Sequence, residues 1–405
     1  MKKYIFVIVT ILCYQLSIAQ KIDRYNGEIT IDMNNRTYQA NLTINFGSYN
    51  NVDTIKLWIQ GGAKINSVIS QRKVISYTLT EEELVYGSRK KQILIPVQDI
   101  KDKTLTITYN NHFDEIKNER FQYKKEWTEF NIYTDYFPWN FEYGLFDYTL
   151  IINSSDTIIA PNLSNDNILK STKPTFDIPF LISTEATKTI TDNEKIHIYS
   201  HQVSDSIISD VQNKSKKYYT YFEDTYGPTD IDKLVIVVSD SKRSVSYARP
   251  NFISLNFDKK FTKTHIKVLA HEIAHLWWLK AELSTWEDWL NESFAEYSAL
   301  VMYRRDYGKE AMDAYNKRFG DWIKKMEAPP VWGIDKSHER SNAVVTYKGA
   351  FRLLDLEEKI GEQQMEKLLN QMHNRQIKTT EALLDLLAEL TGQDTSNWFE
   401  LKLKQ

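Results

Sequence analysis

The pattern of apolar residues changes once along this 405-residue chain, near residue 200. Before that point, apolar and polar residues alternate with a period of two in segments such as Ala40–Phe46 and Thr104–Tyr109, and Asn, Asp and Gly turns separate these segments. Such alternation is typical of antiparallel strands with one buried face. After that point the spacing is mostly helical. We therefore predict an α+β fold, with an antiparallel β domain over 20–200 and a mainly helical domain over 201–405.

The second part of the chain contains clear helix ends. Gly308 and Gly361 follow two of the predicted helices, because glycine readily adopts the conformation that ends a helix. A short buried strand is predicted at 233–238. Helices are predicted at 204–226, 264–279, 287–307, 309–325 and 341–360.

The first residues have the pattern of a secretory signal peptide. A basic start is followed by about 11 apolar residues and by a small-x-small ending at Ser17 and Ala19. This stretch is shorter than the ~20 residues that a spanning helix needs, so we expect cleavage after Ala19 and a secreted or periplasmic protein without a transmembrane helix. The single cysteine, Cys13, lies inside the segment. The mature chain would then contain no thiol, and any metal site would use His and carboxylate.

The charge balance argues against one class of partner. The chain has 51 Lys and Arg against 54 Asp and Glu, with the two signs interleaved. No basic stripe is present that would neutralise phosphates, so we expect no nucleic-acid partner.

Residues 271–275 read His-Glu-Ile-Ala-His and contain the clearest chemical signal in the chain. On a helix, His271 and His275 lie one turn apart on the same face, so both imidazoles can bind one Zn²⁺. Glu272 lies beside them, where it can hold a water molecule on that metal. The alternative is a pair of core histidines on an amphipathic helix.

The segment Trp289-Leu-Asn-Glu-Ser-Phe-Ala-Glu296 favours the metal site. A catalytic zinc needs three protein ligands and an open position, and Glu292, 17 residues after His275, can return across a turn to complete a His₂Glu set. Glu296 lies one helical turn further on and can accept a hydrogen bond from a ligand histidine, which would orient the ring. The alternative for Glu296 is a solvated helix carboxylate. We predict one zinc ion per chain.

His271-Glu-x-x-His275 and Trp289-Leu-Asn-Glu292-x-Phe-Ala resemble the gluzincin metallopeptidases of the membrane alanine aminopeptidase type, which include leukotriene A4 hydrolase. The strong match covers roughly 264–300. The resemblance implies a saddle-shaped β domain before a thermolysin-like catalytic domain, and a peptide or protein substrate. The short stretch after Glu292 predicts a short form without the additional C-terminal domains of many members.

The sequence departs from the family pattern where the substrate binds. The gap between His275 and Glu292 is two residues shorter than usual, which a shorter turn can absorb. The family's Gly-x-Met-Glu-Asn segment, whose Glu holds the free α-amine of the substrate, is absent, and Tyr247–Leu255 takes its place. This segment could be an edge strand that pairs with an extended substrate, with Arg249 and Asn251 as candidate substrate-binding residues. Arg249 would repel an ammonium group, so aminopeptidase activity does not carry over.

The family's oxyanion-binding tyrosine, usually in Tyr-x-Lys-Gly, is also displaced. The matching run is Val345-Thr-Tyr-Lys-Gly349. Aligned on Lys-Gly, the tyrosine position holds Thr346, and Tyr347 is one residue away, about 100° around a helix. We favour Tyr347, because its phenol has the reach and acidity that Thr346 lacks. The alternative is that Tyr347 is a structural aromatic residue.

These residues predict a secreted zinc metallopeptidase. The metal would polarise the scissile carbonyl and lower the pKa of its water towards ~7. Glu272 would take the water's proton and deliver it to the leaving amine. Exo- and endopeptidase activity both stay open at this point. Two other interpretations are a zinc-binding protein of the cell envelope with lost or altered hydrolase activity, and a zinc hydrolase of a non-peptide amide or ester.

Overall fold

The structure is a computed structural model. It describes residues 20–49, 52–85, 87–116, 118, 120–121, 123–191, 194–241, 246–283, 285–332, 341 and 343–405. The predicted signal peptide, residues 1–19, lies outside these residues, so its cleavage stays a prediction. Within the described part of the chain, none of the helices combines the length and apolar character needed to cross a membrane.

The first part of the described chain is built from strands. They are β1 Gln20–Asp32, β2 Thr37–Tyr49, β3 Thr54–Gln60, β4 Lys64–Ser70, β5 Lys73–Val74, β6 Thr78–Leu79, β7 Glu83–Val85, β8 Ser88–Pro96, β9 Thr104–His112, β10 Thr128–Phe130, β11 Asp147–Ser154, β12 Thr157–Ile159, β13 Ile168–Lys170 and β14 Phe180–Ser183. A seven-stranded sheet has the order β13-β11-β1-β2-β9-β4-β5. A second sheet contains β3, β8, β6 and β7, and a third has the order β10-β14-β12.

The predicted alternation produces a one-sided core in the large sheet. Along β2, the residues Tyr38, Leu42 and Ile44 are buried and alternate with exposed or half-buried ones. β1 and β2 pair antiparallel, but β1 pairs parallel with β11. The sheet is therefore mixed and not purely antiparallel as predicted, because the chain passes through β2 to β10 before it returns beside β1 in the same direction.

The second part combines one sheet with helices. Its strands are β15 Thr187–Ile190, β16 Ile196–His201, β17 Leu234–Asp240, β18 Tyr247–Arg249 and β19 Phe252–Phe257. Its helices are α1 Asp205–Tyr226, α2 Lys263–Ala274, α3 Trp289–Lys325, α4 Gly349–Ile360, α5 Glu362–Asn374, α6 Thr380–Thr391 and α7 Gln393–Leu403. The sheet has the order β15-β16-β17-β19-β18, in which β16, β17 and β19 run parallel and β18 is an antiparallel edge.

The central strand β17 is buried on both faces, as expected of a parallel strand covered on each side. Ile236 and Val238 join the core formed with the helices. Val235 and Val237 pack in a cluster with Trp127 from the first part of the chain. The sheet of the second part therefore packs against the first part, and this contact places β18 at their junction.

The order of a β-rich part before a helical part confirms the predicted α+β architecture. One core contains buried residues from Ile22 to Ile182, and the other contains buried residues from Ile196 to Leu403. The predicted boundary after residue 200 falls at the end of β16, and its exact place stays a prediction.

Gly308 divides α3 into the two helices predicted at 287–307 and 309–325. Its φ of 84° and ψ of 171° interrupt the helix, and this left-handed φ suits glycine. The rings of Tyr303 and Tyr315, on opposite sides of the break, lie 5.8 Å apart. The second half of α3 therefore folds back beside the first half.

We expect Asp306→Asn to lower the free energy of unfolding by about 1–3 kcal/mol, since it removes a buried charged acceptor. The Asp306 side chain is 1% exposed and accepts hydrogen bonds from Lys214 Nζ at 2.7 Å and from Tyr218 OH at 2.5 Å. Burial alone would raise the pKa of Asp306, but Lys214, Lys217 and Tyr218 lower it overall. These contacts join α1 to α3. Urea unfolding followed by circular dichroism measures the loss.

Asp313→Asn is the matched control for this prediction. Asp313 forms an exposed pair with Lys309 at 2.6 Å on the same helix. Its replacement should change stability by less than about 0.5 kcal/mol. Equal effects of the two substitutions would contradict a structural role for the buried carboxylate.

Candidate metal centre

α2 contains His271 but ends at Ala274, before the predicted end at Leu279, so His275 is the first residue after the helix. The chain leaves the helix because Trp277 and Trp278 are anchored elsewhere in the core. Their indole N–H groups donate to a carbonyl and a hydroxyl at 2.8 and 3.0 Å. Because α2 ends early and α3 begins at Trp289, residues 275–288 connect the two helices, which is a longer connection than the predicted 280–286.

Asn291 fixes the turn between the two helices. Its Oδ1 accepts hydrogen bonds from the main-chain N–H groups of Lys280 and Ala281 at 2.8 and 3.0 Å, and its Nδ2 donates to Asp288 Oδ1 at 2.8 Å. The side chain is buried. Asn291 was not predicted as a site residue, although it directly precedes the candidate ligand Glu292 in the sequence.

His271, His275 and Glu292 bring their ligand atoms together. Nε2 of His271 lies 3.1 Å from Nε2 of His275 and 3.5 Å from Oε2 of Glu292, and Nε2 of His275 lies 3.8 Å from Glu292 Oε1. All of the ligand atoms lie within 4.8 Å of one another. Tetrahedral zinc with bonds of about 2.0–2.2 Å holds its ligands roughly 3.3–3.6 Å apart. The three side chains therefore fit a zinc ion.

The outer nitrogens of both imidazoles have acceptors. Nδ1 of His271 lies 3.0 Å from Oε2 of Glu296, and Nδ1 of His275 lies 3.2 Å from the carbonyl oxygen of Trp278. With Nδ1–H donating, each Nε2 directs its lone pair towards the position between the three side chains where a zinc ion would bind, as in many zinc sites. Glu296 is 1% exposed, which rules out a solvated helix carboxylate.

Lys267 extends this arrangement and was not singled out from the sequence. Its Nζ lies 2.6 Å from both carboxylate oxygens of Glu296. Tyr315 OH donates to Glu296 Oε1 at 2.8 Å. The available signal was the position of Lys267 four residues before His271, on the same face of α2. Nothing in the local sequence indicates Tyr315.

Burial and hydrogen bonds shift the pKa values of the three ionisable residues in the motif. Burial raises the pKa of Glu272 to about 7, although the nearby charge of His271 acts in the opposite direction. Burial lowers the pKa of His275 to about 4. Burial also acts to lower the pKa of His271, but hydrogen bonds to Glu292 and Glu296 raise it overall to about 10. A metal binds only the neutral imidazole, so zinc binding would release a proton from His271.

The Thr346–Tyr347 pair lies in a π-helical turn, Ala343–Lys348, and not in the predicted α-helix. Thr346 Oγ1 donates to Glu292 Oε2 at 3.4 Å. The Tyr347 ring stacks on Phe319 with a centroid distance of 4.8 Å, and burial raises the pKa of Tyr347 to about 12. Of these two residues, Thr346 therefore makes the hydrogen bond to the predicted ligand Glu292. The oxyanion role of Tyr347 stays a prediction.

Gly349 explains why the chain can approach α3 at this turn. A Cβ on Gly349 would clash with Ser293 Oγ, which itself donates to the carbonyl oxygen of Val345. The glycine therefore permits the close packing that brings Thr346 to Glu292.

Tyr247–Leu255 forms the predicted edge strand, β18, together with part of β19, and Pro250 lies in the turn between them. Arg249 is 5% exposed, and its Nε donates to Asp177 Oδ2 at 2.6 Å. Asn251, with a φ of 63°, is buried in the turn. Both predicted substrate-binding residues therefore have structural contacts, and a direct contact with substrate stays a prediction.

No family model and no curated protein matches the chain. The structure is nevertheless similar to solved structures at probability 1.00. Native leukotriene A4 hydrolase from Saccharomyces cerevisiae aligns with a TM-score of 0.72 and 14% identity, covering 95% of this chain and 68% of that chain. An M1 zinc metallopeptidase from Deinococcus radiodurans aligns with a TM-score of 0.65 and 14% identity, covering 95% and 94%.

A mutant of the Deinococcus radiodurans enzyme bound to the substrate Tyr-Ser-Ala gives a TM-score of 0.65 at 13% identity, covering 95% of this chain and 94% of that chain. Similarity at this level of identity establishes the fold. The predicted resemblance is thereby confirmed at the level of architecture. The chain has the gluzincin fold of the M1 zinc metallopeptidases and leukotriene A4 hydrolase, with a β-rich domain before a helical domain.

Proposed function

We propose that this protein is a zinc-dependent metallopeptidase that binds one Zn²⁺ through His271, His275 and Glu292. The observation that carries the proposal is the convergence of these three ligand atoms within 4.8 Å of one another. The acceptors behind both imidazoles support it, because they leave each Nε2 free for a metal. Similarity to the M1 zinc metallopeptidases supports the same conclusion.

Glu272 is the proposed general base and acid. A zinc ion in this site would act as a Lewis acid and supply an acidified water. The Glu272 carboxylate would accept the proton of the attacking water and then donate it to the nitrogen of the leaving amine. Burial raises the pKa of Glu272 to about 7, and a pKa near neutrality suits a group that must both accept and donate a proton.

The oxyanion would be stabilised by a hydroxyl from the π-helical turn. Tyr347 is the proposed donor, since a phenol reaches further and is more acidic than an alcohol. Thr346 is the alternative, supported by its hydrogen bond to Glu292 at 3.4 Å.

Two observations bear on where a peptide would be cut. The edge strand β18 offers main-chain groups to an extended substrate, and this pairing needs no free N-terminus, whereas the charge of Arg249 is already paired with Asp177. In contrast, Glu129 places a buried carboxylate beside the same strand, since Tyr247 OH donates to its Oε2 at 3.0 Å. We propose internal cleavage first, and removal of N-terminal residues with Glu129 near the amine as the second candidate.

A mixed library of peptides with free or blocked N-termini tests this proposal. The zinc-loaded protein should cleave peptides, and mass spectrometry should show the bonds that are cut. Cleavage of blocked peptides would indicate an endopeptidase, whereas cleavage of free N-termini alone would indicate an aminopeptidase. Tight zinc binding without cleavage would contradict the peptidase and favour a zinc-binding protein of the cell envelope. Cleavage of small amides or esters alone would favour a non-peptide hydrolase.

The proposed location is outside the cytoplasm, either secreted or periplasmic. It depends on the signal-peptide pattern that ends at Ala19.

A further inference from the structure

We propose that Lys267 is a positioning residue for the metal centre. It lies on α2, one turn before His271, and acts on His271 through the Glu296 carboxylate. By holding that carboxylate in one orientation, Lys267 fixes the His271 tautomer and ring plane that zinc binding needs. The inference rests on the proposed metal site and adds a residue that contacts neither metal nor substrate.

Four hydrogen bonds occupy the Glu296 carboxylate. Oε1 accepts from Lys267 Nζ at 2.6 Å and from Tyr315 OH at 2.8 Å. Oε2 accepts from Lys267 Nζ at 2.6 Å and lies 3.0 Å from His271 Nδ1. Lys267 also donates to Tyr315 OH at 3.2 Å. Rotation of the carboxylate away from His271 would break several of these bonds at once.

The burial of this network indicates that the Lys267–Glu296 pair has a specific role. Lys267 is 4% exposed and Glu296 is 1% exposed. A buried ammonium or carboxylate group is strongly unfavourable unless it is paired and hydrogen-bonded. Lys267 and His271 lie one turn apart on α2, and the break at Gly308 returns Tyr315 to the same place. Two separate segments of the chain, α2 and the second half of α3, therefore converge on a carboxylate in the first half of α3.

Formal charge explains why a cation lies here. Glu272, Glu292 and Glu296 contribute three negative charges when ionised, and a zinc ion would contribute two positive charges. Lys267 contributes the third positive charge, which brings the formal total of these groups to zero. The ammonium group faces Glu296 rather than the ligand atoms, so the carboxylate separates it from a bound dication. We therefore expect its attraction for Glu296 to outweigh its repulsion of the metal.

Zinc affinity tests the role of Lys267 without any activity assay. Competition with a chromophoric chelator measures the zinc Kd of the full chain. Lys267→Met should weaken zinc binding by about 10–100-fold, the loss typical of outer partners of metal ligands. The Co²⁺-loaded variant should also show a shifted visible absorption spectrum, because the His271 ring is no longer held. Tyr315→Phe keeps the ion pair and should weaken zinc binding by only about 2–10-fold.

A double variant separates positioning from general stability. In the Glu296→Gln background, adding Lys267→Met should cause no further loss of zinc affinity, because Lys267 acts through Glu296. Lys263→Met, an exposed lysine one turn earlier on α2, is the matched control and should leave the Kd unchanged. A lower melting temperature of Lys267→Met with an unchanged Kd and Co²⁺ spectrum would overturn the inference. So would independent, multiplicative losses in the double variant.

The failure of this inference is distinguishable from failure of the proposed function. If the unmodified protein binds no zinc, both proposals are wrong. If the unmodified protein and Lys267→Met bind zinc equally tightly, the metal site stands and only the role of Lys267 is wrong.

Discussion

Replacing Glu272 with glutamine is expected to remove nearly all peptide hydrolysis while zinc binding is retained. Glutamine has nearly the same shape, but it cannot accept the proton of the attacking water. General acid–base catalysis contributes about 10²–10⁴-fold, so kcat should fall by that factor. Glu272 is not one of the three converging ligands, so the zinc Kd should change little.

Steady-state kinetics on a peptide that the unmodified protein cleaves, together with zinc analysis of the same samples, measures both effects. Glu358→Gln is the matched control, because Glu358 is an exposed glutamate on α4 in the same part of the chain. That substitution should leave kcat within experimental error. An unchanged kcat in Glu272→Gln would show that Glu272 is not the general base.

The second large effect is expected from Glu292→Ala, which removes the carboxylate ligand. Two imidazoles, one in the last turn of α2 and one just after it, would remain, and a tightly bound zinc needs a third protein ligand. Zinc affinity should fall by more than the roughly 10–100-fold that follows loss of an outer partner. Hydrolysis should fall with it at zinc concentrations that saturate the unmodified protein.

The effect of zinc on the melting temperature provides an independent test of the Glu292→Ala substitution. A ligand that binds only the folded state stabilises it, by about 2.7 kcal/mol at 100 times its Kd. Added zinc should therefore raise the melting temperature of the unmodified protein and of Glu358→Ala, but not that of Glu292→Ala. An equal zinc-dependent shift in Glu292→Ala would place the ion at other ligands.

The convergence of His271, His275 and Glu292 was predictable because their geometry is mostly local. Helical spacing fixes the relation between His271 and His275, and Glu292 lies on the next helix. The Lys267 network was not predictable in the same way. Tyr315 lies 19 residues beyond Glu296, and only the fold-back at Gly308 brings its hydroxyl to the carboxylate.

The directions of the Thr346 and Tyr347 side chains were not predictable from the sequence. The displacement of Tyr347 by about 100° assumes an α-helix. The structure has a π-helical turn over Ala343–Lys348, in which hydrogen bonds close over five residues rather than four. The direction of each side chain in such a turn differs from that in an α-helix. The contact of Thr346 with Glu292 therefore could not be derived from spacing alone.

The strands of the β-rich part were predictable, but not all of their partners were. A period of two identifies which residues of a strand are buried and contains no information about the direction of its neighbour. The parallel pairing of β1 with β11 depends on the path of the intervening chain. Likewise, the pairing of Arg249 with Asp177, 72 residues apart, required the two parts of the chain to meet.

Titration of zinc into metal-free protein tests the central claim most directly, with zinc binding and peptide hydrolysis followed in the same samples. We predict that hydrolysis rises in proportion to bound zinc and saturates at one ion per chain. The Glu272→Gln protein should bind the same amount of zinc without this rise. Hydrolysis that is independent of zinc, or saturation with zinc that produces no hydrolysis of any peptide, would contradict a zinc metallopeptidase.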